Sequence, residues 1–329
     1  MREKNSSQYN LQHPLARDWL SVRDRTQFAE STVRTYTSHI RQFLAFLQKE
    51  GLELLEIDIR EIINFIEDLV RKGKAESTVK NHHSTICDLY RYIDVRTEKN
   101  PVLNPYRLKE ICMNSYSYEN GFERDALSRE EIRQLLNNFE IDRNRIMAYV
   151  AVCTGLRNSD VRNCKLNDID YDELELYVSD PKGGDAYHVP LPKPVARRLI
   201  QWQNVGRKSY AGHKTHDYVF PTNRGGKLKD NCQFSEPVRD AAERAGIQKI
   251  IGSTKYYNQY CDKYIHRTYY KVTPHALRHT YLTLLKEADT PDEARRKAAN
   301  HSSIETTKNY EHIDSEHDEH IRSVFDSGF

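Results

Sequence analysis

A chain of 329 residues with 50 Lys+Arg against 48 Asp+Glu and a mean hydropathy of −0.82 has length for about two domains and too much charge for a membrane-embedded body. No apolar run approaches the roughly 18 residues of a span, and MREKNSSQYN passes straight into more polar sequence, so a cytoplasmic protein without a membrane partner is expected. The net charge of +2 neither demands nor excludes nucleic acid, because only the distribution of charge speaks to that.

In chain order, ESTVRTYTSHIRQFLAFLQKEG reads as a helix capped by Ser31 or Thr32 and stopped at Gly51, with Val33, Tyr36, Ile40, Phe43, Leu44 and Leu47 on one apolar stripe. IREIINFIEDLVRKGK predicts a second helix, and ESTVKNHHSTICDLYRYI a further one opened by Ser77 or Thr78. The two EST(V) copies, each with a basic residue close behind, read as two similarly capped helices rather than a tandem repeat. Two Asn-Pro steps in EKNPVLNPYRLKE then break helix, and the polar, Gly-containing MNSYSYENGFERDA reads as a linker.

LSREEIRQLL opens the second half with a capping box from Ser128 to Glu131. RNRIMAYVAVCTGLRNSDVRNCKL predicts a buried helix, a turn at Thr154-Gly155 and another helix. In DIDYDELELYVSDPKGGDAYHVPLP, short β-type runs around Gly183-Gly184 predict a small antiparallel sheet. Helices return with PVARRLIQWQ. The fold class is therefore mainly α: a helical N-terminal domain over 1–115, a linker over 116–126, and a mixed α/β domain over 127–329 with a small antiparallel sheet. The 6 cysteines, Cys87, Cys112, Cys153, Cys164, Cys232 and Cys261, form no Cys-x-x-Cys pair and read as buried thiols.

Four stretches could carry chemistry. Arg157 follows a Thr-Gly turn at a helix start, where free N–H groups and a forked donor both suit phosphate oxygens. Lys182 directly precedes a Gly-Gly turn, from which a mobile hairpin could deliver an ammonium group as a general acid. In VTPHALRHTYLTLL, His275 and Arg278 lie three apart after Pro274 and so are expected on one helix face. A zinc reading of His275 with His279 fails, since the metalloprotease helix needs Glu where Ala276 stands. NHSSIETTKNYEHI supplies His301 and Tyr310. His312, His317 and His320 follow among acids, a group that could hold a metal but reads as a solvated tail.

Each stretch is ordinary alone. Together and in this order they resemble the tyrosine recombinase family of phage-type integrases, over about Leu127 to Ile313, with the helical first half matching that family's core-binding domain in layout. The family pattern maps onto Arg157, Lys182, His275, Arg278, His301 and Tyr310. Three departures stand beside it: Asp160 in place of the usual Glu, Ala299-Asn300 in place of Leu-Gly, and an insertion-like stretch from Gly252 to Lys271, whose tyrosines and lysines either meet DNA or another protomer, the favoured reading, or pack as an elaborated loop.

The resemblance implies that Tyr310 attacks the scissile phosphate, giving a 3′-phosphotyrosyl link and a free 5′-hydroxyl. It further implies that Arg157 and Arg278 grip the non-bridging oxygens, that Lys182 protonates the leaving oxygen, and that His275 and His301 assist. No metal and no cofactor is called for. The implied partners are double-stranded DNA, further copies of the chain in a DNA-bound tetramer, and a directionality factor. Arg34, Arg41, Lys80 and His83 on the two EST-opened helices are the candidates for groove contact. The alternatives are a chromosome-dimer resolving recombinase of the same family, a type IB topoisomerase, a non-catalytic DNA-binding accessory protein and a metal-dependent hydrolase. The tail residues Ile321, Val324 and Phe325 are expected to pack either on a neighbouring protomer or back in cis.

Overall fold

The computed structural model describes residues 11, 13–25, 28–97, 125–179, 181, 186–258, 263–298 and 311–329. It divides into two compact units: Met1–Gly121 with Thr254–Arg267, and Phe122–Ser253 with Thr268–Phe329. The linker expected at 116–126 lies outside the described residues except for Asp125 and Ala126. Among the described residues no helix is long and apolar enough to cross a membrane.

The first unit contains helices α1 (Pro14–Arg25), α2 (Glu30–Lys49), α3 (Ile59–Arg71) and α4 (Glu76–Arg96). The predicted stripe of α2 faces its core: Val33, Ile40, Phe43 and Leu47 are at most 5% exposed, and Tyr36 and Leu44 pack at its edge. Each such side chain withdrawn from water stabilises the fold by roughly 1.5–3 kcal/mol. α3 opens on a capping box in which Asp58 accepts from the Arg60 N–H at 2.7 Å and the Glu61 carboxylate accepts from the Asp58 N–H at 2.8 Å. The Arg23 guanidinium forks onto Asp88 at 2.9 and 2.7 Å, tying α1 to α4.

The two expected caps are corrected. The N-cap residues are Ala29 and Ala75, both extended and without a side-chain cap bond, and the helices begin at Glu30 and Glu76. A carboxylate in the first turn complements the positive end of the helix dipole. It also pairs one turn on, Glu30 with Arg34 at 2.8 Å and Glu76 with Lys80 at 2.5 Å. That electrostatic opening takes the place of the hydroxyl cap that the serines and threonines suggested.

In the second unit, α5 (Arg129–Asn137) carries the predicted capping box: Ser128 Oγ accepts from the Glu131 N–H at 3.1 Å, and Glu131 accepts from the Ser128 N–H at 3.0 Å. α6 (Asp142–Thr154) is apolar on nearly every face, with Met147, Ala148, Val150, Ala151, Val152 and Cys153 at most 1% exposed. A helix without a polar face must lie inside its unit. Short helix α7 (Asn158–Asn163) follows, then strands β1 (Ile169–Asp170), β2 (Glu175–Val178) and β3 (Tyr187–Pro190). They form the expected antiparallel sheet, with Leu176 opposite both Ile169 and Val189 so that the apolar side chains share the inner face.

Helices α8 (Lys193–Asn204) and α9 (Cys232–Arg244) of the second unit lead to strands β4 (Ile250–Asn258) and β5 (Lys263–Tyr270), which pair with each other and whose Thr254–Arg267 part belongs to the first unit. The insertion-like stretch is thus largely strand rather than loop. Helices α10 (Pro274–Glu287), α11 (Asp292–Ala298) and α12 (Glu311–Asp326) complete the second unit. α12 packs in cis: Ile321 and Phe325 are 2% and 0% exposed, and Phe325 stacks on Tyr281 with ring centroids 5.2 Å apart. Cys87, Cys153 and Cys164 are buried as expected, but Cys232, at the first position of α9, is exposed. Cys112 and Cys261 lie outside the described residues.

Candidate active site at an arginine pair

The site is built where α6 ends. Gly155 takes the left-handed conformation, φ 65° and ψ 12°, while its N–H still donates to the Ala151 carbonyl at 3.0 Å. A side chain there meets a second obstacle, because a Cβ would stand 2.3 Å from Tyr281 Cδ1. Glycine is therefore required twice, by backbone and by neighbour. After this reversal Leu156 turns into the core, 1% exposed, and Arg157 becomes the extended N-cap of α7. The Arg157 carbonyl accepts from the Asp160 and Val161 N–H groups at 2.9 and 3.0 Å, which fixes the base of its side chain.

Arg278 reaches the same place from α10. Thr273 caps that helix by accepting from the Ala276 N–H at 3.2 Å, Pro274 begins it, and Arg278 in its second turn is 6% exposed. One Nη1 of Arg278 donates to the Gly155 carbonyl. The glycine that turns the chain toward Arg157 thus also anchors the second arginine. His275, expected on the same face as Arg278, lies one turn earlier and is exposed, whereas Arg278 is buried.

Beside Arg157 lies Asp160, whose side chain is fully withdrawn from solvent and whose charge also reaches Arg278. Its Oδ2 is 4.0 Å from Arg157 Nη1 and 3.4 Å from the Tyr187 hydroxyl, and its Oδ1 accepts from Ser159 Oγ at 3.0 Å. Burial pushes the Asp160 carboxyl above the usual range, opposed by Ser159 and Arg157. Burial pulls the Arg278 guanidinium down, and Arg157 as a like charge pulls it further. Two guanidiniums therefore converge on one carboxylate that burial biases toward its neutral form. Such a site carries an excess of positive charge in a partly desolvated place, and an anion relieves it.

Arg162, which the sequence did not single out, holds α7 in position. Its guanidinium donates to Asn158 Oδ1 at 2.7 Å, to the Leu228 carbonyl at 2.6 Å and to Asn231 Oδ1 at 2.6 Å. Beside Asp160 opens a hollow of about 190 Å³ edged by Lys165, Lys227, Asp168, Tyr177 and Ser179, a polar recess of mixed charge.

The structure thus brings Arg157 and Arg278 together and sets His275 one turn before Arg278 on α10. Lys182, His301 and Tyr310 lie outside the described residues. Of the groove candidates, Arg34 and Lys80 are exposed but ion-paired to Glu30 and Glu76, and Arg41 is half-buried. His83 is 5% exposed, its ring against Cys87 Sγ at 3.4 Å, because α4 turns it inward beside His82. It has little surface to offer a groove in this conformation. Among the described residues no group of three or more His, Cys, Asp or Glu could hold a metal ion, and the His320 ring contacts Thr290 Oγ1 at 3.0 Å.

Two family models match the chain: Phage integrase family over residues 125–317, and Phage integrase, N-terminal SAM-like domain over residues 19–96. The tyrosine recombinase XerC of Lacticaseibacillus casei is 25% identical over 304 residues, covering 88% of this chain and 91% of its own. The tyrosine recombinase XerA of Pyrococcus furiosus is 23% identical, covering 88% of this chain and 86% of its own. Among solved structures, the XerH site-specific recombinase in a post-cleavage complex with its palindromic difH substrate superposes with a TM-score of 0.64 at 20% identity, over 95% of this chain and 83% of that one. A lambda integrase (75–356) dimer bound to a COC′ core site gives 0.61 at 18% identity, over 91% of this chain and 99% of that one. At these identities the superpositions speak to the fold.

Proposed function

Since the chain belongs to the phage integrase family, we propose that it is a site-specific DNA recombinase that cuts and rejoins double-stranded DNA through a 3′-phosphotyrosyl intermediate, with Tyr310 as the nucleophile. The observation that carries this reading is the convergence of Arg157 and Arg278 on a single buried carboxylate, Asp160, which leaves net positive charge for a phosphodiester. The helical part over 1–115 serves as the core-binding domain, and 127–329 as the catalytic domain.

In this mechanism the Tyr310 oxygen attacks the scissile phosphorus in line with the departing 5′-oxygen. The new P–O bond forms to the tyrosine and the P–O5′ bond breaks. Negative charge grows on the non-bridging oxygens as this happens, and Arg157 and Arg278 donate to them. Preorganised donors of this kind, aimed at developing charge, are each worth about 10²–10³ in rate. Lys182 gives its proton to the 5′-oxygen, while His275 and His301 donate to the phosphate or take up the tyrosine's proton. Attack by a 5′-hydroxyl on the phosphotyrosine reverses the step and reseals a strand. The phosphodiester energy stays in the covalent link, so neither a nucleotide nor a metal ion enters the balance.

Arg34, Arg41 and Lys80 are the exposed or half-exposed candidates for contact with DNA from the first unit. On DNA the chain assembles with further copies of itself, as a tetramer during strand exchange, and a directionality factor biases the outcome. The reaction takes place in the cytoplasm, where its DNA lies. A chromosome-dimer resolving recombinase would use the same residues, and recombination assays between pairs of sites separate the two roles.

The test is a nicked suicide substrate incubated with the full chain in the presence of a metal chelator. A protein–DNA adduct that survives denaturation is expected, joined at the 3′ side of the break. Cleavage that stops when metal is removed, or that leaves no covalent adduct, contradicts the reading and favours a hydrolase or a non-catalytic binder.

A further inference from the structure

We propose that Tyr187 is a positioning residue for this reaction: its hydroxyl, by holding Asp160, sets the Arg157 guanidinium beside Arg278. The inference rests on the recombinase reading above and concerns the same site.

Tyr187 is the first residue of β3, five positions after Lys182 in the sequence. The pleat alternates side chains across the sheet. His188 points outward, its side chain 59% exposed and paired with Glu175 at 3.0 Å, so Tyr187 points inward, and its ring packs against the core of the second unit. The inward ring carries its hydroxyl to Asp160 Oδ2, at 3.4 Å. That is the oxygen which faces Arg157 at 4.0 Å, while Ser159 holds Oδ1 at 3.0 Å. The carboxylate is thus oriented from two sides, and its third direction belongs to the arginine.

A separation of 3.4 Å is long for O–H···O, where 2.7–2.8 Å is usual, so the contact in the free protein is weak. Catalytic hydrogen bonds commonly tighten when substrate arrives. Here a phosphate drawing on Arg157 leaves Asp160 to be held by Tyr187 and Ser159. The groups facing Asp160 are Arg157, Ser159 and Arg162 around α7, Arg278 on α10 and Tyr187 on β3, with Lys165, Lys227 and the carboxylate of Asp168 around the adjoining hollow. A hydroxyl that donates to a buried carboxylate favours its charged form, the form that orients a guanidinium. Tyr187 therefore couples the strand that follows Lys182 in the sequence to the arginine pair.

The experiment measures single-turnover cleavage of the suicide substrate between pH 5 and 9, and DNA affinity by fluorescence anisotropy, for the wild-type chain, Tyr187→Phe, Asp160→Asn and the double variant. Tyr187→Phe is expected to slow cleavage about tenfold, as loss of one hydrogen bond to a charged group does. Its affinity for DNA stays within about twofold. The acid limb of its pH profile moves to higher pH, because Asp160 loses a donor to its charged form. In the Asp160→Asn background the limb no longer responds to Tyr187→Phe, and adding Tyr187→Phe costs nothing more, since both act through one carboxylate. Unchanged cleavage in Tyr187→Phe, or a loss equal at every pH and still present in the Asp160→Asn background, overturns the proposal. The second result would mark a merely structural ring. Absence of any adduct in the wild-type chain is a separate failure, that of the recombinase reading itself.

Discussion

Backbone, aromatic core and arginine meet at Gly155, which makes it the residue whose replacement tests the site's construction most sharply. An alanine there must hold a left-handed φ, costing about 1–2 kcal/mol, and must displace the Tyr281 ring that its Cβ would approach to 2.3 Å. Overpacking of that kind costs about 1–3 kcal/mol. Gly155→Ala is therefore expected to destabilise the second unit by about 2–5 kcal/mol, read in denaturant unfolding. Because the Gly155 carbonyl also accepts from Arg278, DNA cleavage should fall further than the folded fraction does. Loss in strict proportion to unfolding would mean that the carbonyl does not position the arginine.

At the scale of elements, α2 and α4 show how one local device serves two purposes. Glu30–Arg34 and Glu76–Lys80 are exposed i,i+4 pairs at helix starts. Pairs of this kind contribute only about 0.3–0.5 kcal/mol. Arg34→Ala and Lys80→Ala should thus change unfolding free energy by less than about 0.5 kcal/mol each. If these side chains leave their carboxylates for phosphates, each substitution lowers the salt slope of DNA binding by about one. An unchanged slope would remove them from the DNA interface. Between the same helices the His39 and His82 rings lie with centroids 3.9 Å apart and planes tilted by 31°, and Phe65 meets His82 in a T-shaped contact. Burial pulls His39 down to about 4 and, with the charges of His39 and Lys74 adding to it, His82 down to about 3. The unfolded chain binds these protons near pH 6.5, before the folded one does, so stability is full above that pH and is lost as pH falls toward 4 and 3. Urea midpoints should drop through that window, and His82→Leu should flatten the drop.

At the scale of the whole molecule, the mainly helical class and the small antiparallel sheet were legible because the signals are local. The α2 stripe, the Ser128–Glu131 box and the short strands flanking Gly183-Gly184 in the sequence all depend on neighbours a few residues apart. Local signals also misled. Ser31 and Ser77 resembled caps, but the carboxylates before them opened the helices. The polar, aromatic stretch from Gly252 lacks clean alternation and hid two strands, and Cys232 passed for a core thiol although it begins an outward turn of α9. The site divides the same way. Arg157 and Arg278 stood out through their flanking turn and helix start, whereas Tyr187 beside Asp160 and Tyr281 against Gly155 join residues that only the folded chain brings together. The proposed chemistry turns on Tyr310, for which the sequence pattern and the family are the support. Tyr310→Phe keeps the ring and removes the nucleophilic oxygen. With the nicked suicide substrate it is predicted to bind DNA as the wild-type chain does and to give no denaturation-resistant adduct; an adduct formed at wild-type yield would contradict the central assignment.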